Sequence, residues 1–93
     1  MILSWQDKQQ HGERVITNLQ GAINAKRTDV ARVDIAYTLM HLSCIIAGNT
    51  DHAPTLDRVQ SSLIAAIARH ELCDIQNEAR TAYNKFVDYH TAR

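Results

Sequence analysis

The apolar positions of this chain fall into helical spacing almost from end to end. Val15, Ile16, Leu19, Ala22 and Ile23 recur three and four residues apart, which places them on one face of a helix. Ser4, with Asp7 three residues on, supplies a cap for that helix, and the pattern carries it to about Ala25. Its first half, Gln6 to Arg14, is polar on every side and holds Gly12, while Gly21 lies inside the stripe; each glycine costs about 1 kcal/mol relative to alanine. Fraying or a bend near Gly12 is therefore expected.

A second helix starts at Thr28, a suitable N-cap, and is of a different kind. Val30, Val33, Ile35, Ala36, Tyr37, Leu39, Met40, Leu42, Ile45 and Ile46 point in nearly every direction around it, so it must be covered nearly all round. Gly48 marks its stop. The stretch from Gly48 to Pro54 is the one convincing loop, and Pro54 suits the first turn of a third helix. That helix shows Leu56, Val59, Leu63 and Ile67. The apolar phase then slips near residue 70, after which Leu72, Ile75, Ala79, Ala82, Phe86 and Tyr89 keep a heptad-like spacing. A turn between His70 and Asp74, with Asp74 capping a fourth helix, explains the slip; one long helix that changes its buried partner is the alternative. The prediction is all-α, a compact bundle of three or four helices in a single domain over residues 1–93, with helix 2 central and apolar on nearly all sides.

Composition agrees, since three glycines and one proline leave little to interrupt helices. Ten basic and ten acidic residues cancel, so no overall field draws the chain onto nucleic acid or an anionic membrane. The start, Met1 to Lys8, lacks the basic region and apolar run of a signal peptide. The longest apolar stretch, Ile35 to Ala47, falls short of the roughly 20 residues a membrane span needs. Two cysteines in apolar, helix-patterned segments read as small buried hydrophobes, not as a disulfide framework. A soluble, cytoplasmic protein with no cofactor and no membrane contact is expected.

One constellation has possible chemistry. His41-Leu-Ser-Cys44 and His70-Glu-Leu-Cys73 repeat a His-x-x-Cys spacing that sets an imidazole and a thiol on one helix face, as a zinc site would require. If helices 2 and 3 form an antiparallel hairpin, however, the two pairs lie roughly 18 Å apart along the axis, beyond one metal's reach. His41, Cys44, His70 and Cys73 could then close a site only across two chains, and the expectation is no metal. A shift of 29 residues also aligns Val30 with Val59, Ile35 with Ile64 and Ala36 with Ala65, which reads as chance in a chain so rich in alanine and isoleucine. Asp34, Tyr37, Thr38 and His41 make a polar seam on helix 2 that satisfies itself by hydrogen bonding. Glu71, Asp74 and Glu78 form a solvated acidic face.

These readings exclude more than they identify. No catalytic residue emerges, and the expectation is a non-enzymatic, intracellular helical interaction protein, an adaptor, regulator or inhibitor of the kind found in bacteria and their phages. It would bind a larger protein and form a homodimer, because so few helices cannot cover helix 2. Trp5, beside Ile2 and Leu3, together with Tyr37, His41, Tyr83, Val87 and His90, are the candidate partner-binding residues. Nucleic-acid binding, through the helix 1 to helix 2 junction and the aromatic and basic residues of the last helix, is the second reading. A metal-binding protein using the paired His-x-x-Cys is the third.

Overall fold

The structure is a computed structural model that describes residues 5–48 and 54–91, except for the side chain of Trp5. Four helices run in order: α1 (Trp5–Asn24), α2 (Thr28–Gly48), α3 (Pro54–Ala68) and α4 (Leu72–Thr91). The helices pair as two hairpins, α1 with α2 and α3 with α4, and the hairpins close on each other through α1 against α4 and α2 against α3. The bundle measures 36 × 22 × 20 Å. Each helix gives one apolar stripe to a common core: Val15, Leu19 and Ala22 from α1, Ile35, Leu42 and Ile45 from α2, Leu56, Val59 and Leu63 from α3, and Ile75, Ala82 and Phe86 from α4. The spacings of three and four that predicted these helices are the spacings that line the core.

The helix ends reflect local chemistry. Gly48 closes α2 and Pro54 opens α3 as expected, while the connection between them and the Ser4 cap lie outside the described residues. Arg69 to Glu71 are not helical, so α3 and α4 are separate and the single long helix is excluded. The cap of α4 is Glu71 and not Asp74, because the Glu71 carbonyl accepts the Asp74 and Ile75 amides at 3.1 Å each. At α2 the cap position moves back from Thr28 to Arg27, whose carbonyl accepts the Ala31 amide at 3.1 Å. Asp29 sits beside it in the first turn. Its carboxylate accepts from the Arg27 guanidinium at 2.8 Å and from the Val30 amide at 3.0 Å, a favourable place for negative charge.

No break occurs at Gly12, which lies inside α1. Its purpose is close approach: the His90 imidazole, stacked on Phe86 at 5.8 Å, rests against it, and a Cβ there would stand 2.6 Å from His90 Nδ1. At Gly21 a Cβ would stand 2.9 Å from the Asp34 carboxylate, so α2 also packs closely on α1. Two long-range polar contacts tie off helix ends. Gln76 of α4 places Nε2 within 3.3, 2.9 and 2.8 Å of the Ala22, Ile23 and Ala25 carbonyls at the end of α1, where the Ala22 carbonyl also accepts from the Ala25 amide at 3.4 Å. Arg32 of α2 donates from Nη2 to the Arg69 carbonyl at 2.5 Å, holding the α3–α4 turn beside the start of α2.

Candidate interaction surface

The core takes one face of α2, Ala31, Ile35, Thr38, Leu42 and Ile45. Thr38 is accommodated because its hydroxyl donates to the Asp34 carbonyl one turn back, at 2.8 Å. On the opposite side, Val30, Val33, Tyr37, Met40, Cys44 and Ala47 succeed one another at intervals of three and four and form a second apolar strip. Nothing among the described residues covers it. Val33, Tyr37 and Met40 are each 52% exposed and Val30 is 45% exposed.

Two isoleucines of α3 extend the strip. The flank of α3 that carries Thr55 and Arg58 forms a cleft of about 380 Å³ with Lys85, Asp88 and Tyr89 of α4. The other flank, with Ile64 at 57% and Ile67 at 37% exposure, is therefore on the α2 side. Arg32 meets Arg69, so the two helices run antiparallel and Ile64 lies nearly level with Tyr37, with the exposed Ala36 between the two rows. Together the six large side chains expose on the order of 600 Å² of mostly apolar surface, at the top of the range for the largest patch on a monomer.

The chemical candidates are distributed elsewhere. His41 turns toward α1 and meets His11 with Nδ1 atoms 3.0 Å apart and rings tilted at 45°, so one imidazole donates to the other. Burial holds the His41 pKa below the usual histidine value, and the nearby charges of His11 and Arg14 lower it further. Burial likewise raises the Asp34 carboxyl above its usual value. Cys44 and Cys73 are free thiols and both are exposed, which corrects the expectation that they are buried. Each sits outside its helix's core stripe, Cys44 on the apolar strip of α2 and Cys73 in the first turn of α4. His70 belongs to the α3–α4 turn, beside Arg69 and hence beside Arg32, and at 1.5 Å per residue Cys44 is about 18 Å along α2 from that level. Among the described residues no group of three or more His, Cys, Asp or Glu is placed to hold a metal.

Of the six candidate partner-binding residues, Tyr37 is the one at the centre of the strip. The Tyr83 hydroxyl accepts from Gln20 Nε2 at 3.2 Å, His90 is packed between Phe86 and Gly12, Val87 is half-buried, and His41 is engaged with His11. The side chain of Trp5 lies outside the described residues. Val30, Val33, Met40, Ile64 and Ile67 were not among the candidates, although the alternation of three and four from Val30 to Ala47 could have found the first three. The 29-residue alignment has no structural counterpart: Val30 is exposed where Val59 is buried, and Ile35 is buried where Ile64 is exposed. Glu78 pairs with Arg69 at 3.5 Å, which removes it from a purely solvated acidic face.

At 21 residues α2 is long and apolar enough to cross a membrane, longer than the run from Ile35 to Ala47 implies. In the bundle it packs against all three other helices. Compared with protein-family models, curated proteins and solved structures, the chain matches none.

Proposed function

We propose that this chain is a small, non-catalytic interaction protein of the cytoplasm, an adaptor, regulator or inhibitor that acts by binding a larger protein. The observation that carries this reading is the second apolar strip of α2, widened by Ile64 and Ile67. An apolar face of this size costs solubility unless a protein covers it, and its heptad spacing suits the side chains of another helix. The polar group beside the strip supports the same reading, since His41 pairs with His11 of α1 instead of opening onto a cleft. The test is affinity capture from the native host with the wild-type chain and with Met40→Glu, which places a charge on the strip. A larger protein retained by the wild type and lost from the variant is the expected result. A variant that retains every protein the wild type retains overturns the assignment.

A further inference from the structure

We infer that the helix filling the strip is α2 of a second copy of this chain, so that the protein is a homodimer joined through Val30, Val33, Tyr37, Met40, Ile64 and Ile67. The inference rests on the reading of the strip as a protein-binding surface and names its occupant. Area is the first argument. The large side chains supply on the order of 600 Å², and the exposed Ala36, Cys44 and Ala47 raise this towards the ~800 Å² per partner of a stable interface.

Composition is the second argument. A two-fold interface must be complementary to itself; the strip residues are uncharged, and the exposed Arg27–Asp29 pair at its N-terminal end is neutral as a pair. The chain's formal net charge of +0 adds no long-range repulsion between copies. Spacing is the third. A strip that repeats at three and four presents knobs and holes of one geometry, so the same strip on a second copy can interdigitate with it. Tyr37 then lies at the middle of the interface, where an aromatic side chain contributes most. The dimer covers the side of α2 that the fold leaves bare, and a larger partner that takes the strip does so in place of the second copy.

Sedimentation equilibrium on the full chain at about 50 µM tests this, a concentration at which any dimer tighter than micromolar is filled. The wild type is expected at twice the 10.5 kDa chain mass, and Met40→Glu and Tyr37→Asp at the single mass with unchanged helical circular dichroism. A wild type at the single mass, or a dimer that persists in both variants, overturns the inference. Thiol labelling of Cys44 in Cys73→Ser protein gives a reading that needs no disruptive variant. Its rate is expected to fall about tenfold as concentration rises through the dimerisation range, because Cys44 lies on the strip. A rate independent of concentration overturns the inference. If the chain is monomeric while Met40→Glu still loses a captured protein, the dimer fails and the interaction function stands. If the dimer forms and no larger protein is captured, the reverse holds.

Discussion

On one side of α2, Ala31, Ile35, Leu42 and Ile45 are closed off from water; on the other, Val30, Val33, Tyr37 and Met40 keep about half of their surface exposed. Both rows are apolar and they interleave along the same helix. What separates them is the direction from which the other helices approach: α1 and α3 flank the first row and α4 closes over it, and among the described residues no further element covers the second. A fully buried aliphatic side chain contributes about 1.5–3 kcal/mol to folding. The outward row, half exposed, contributes much less to folding. Apolarity along a helix therefore does not by itself mark core: the fold closes over one row and leaves the other at the surface.

The largest effect that could break this comparison is in the core row. Leu42→Ala is expected to lower unfolding free energy by about 2–5 kcal/mol in urea titrations, through lost burial and an unfilled cavity. Met40→Ala, two residues away, should change the stability of the monomer by no more than about 0.5 kcal/mol at a concentration too low for association. Equal costs would mean that the outward row belongs to the folding core.

Next in size is the polar closure of α1. Gln76→Ala is expected to cost about 1–2 kcal/mol, because the Ile23 and Ala25 carbonyls lose the Gln76 donor at a partly buried helix end. Gln20→Ala removes only the exposed contact to Tyr83 and should cost a few tenths of a kcal/mol. Chemical denaturation that ranks the two in the opposite order would show that the α1 end is held by something else.

His41 stands at the boundary between the two rows, and its pKa is lower in the fold than in the open chain. The unfolded chain therefore takes up a proton before the folded one does, and stability should fall as pH drops below about 6.5, continuing to the lower folded value. Denaturation midpoints at pH 7.5 and 5.5 measure this, and His41→Gln should flatten the dependence. An unchanged slope in that variant assigns the effect to other groups. The smallest expected effect is at Gly21→Ala, where about 1 kcal/mol of helix propensity is offset by displacing the Asp34 carboxylate. A loss well beyond 1 kcal/mol would show that Asp34 cannot turn aside and that the α1–α2 approach is rigid.

Much of the fold was legible because helices announce themselves through local spacing. The stripe from Val15 to Ile23, the stop at Gly48, the start at Pro54 and the phase slip near residue 70 each reflect interactions within a few residues of sequence, and each has its counterpart in the structure. Gly12 shows the opposite limit. Its cost within α1 is local, but its use is a contact with His90, at the far end of α4. The cysteines show the same limit, since an apolar neighbourhood in sequence does not say which side of the helix a thiol occupies.

The candidate surface was half legible. An α2 apolar all round implied more apolar surface than four helices could cover, and Tyr37 was among the residues that pattern singled out. That Val33 and Met40 belong with Tyr37, that Ile64 and Ile67 of α3 join them, and that His41 turns away to meet His11 are matters of which helix flanks which. Periodicity along one helix measures angles around that helix alone. The amino-acid order therefore settled, to within a few residues, where the helices begin and end and how apolar each side is, because those depend on backbone hydrogen bonding and side-chain spacing within a few turns. Only the packing of the two hairpins decided which apolar row became core and which became surface, because burial depends on contacts between residues distant in the chain.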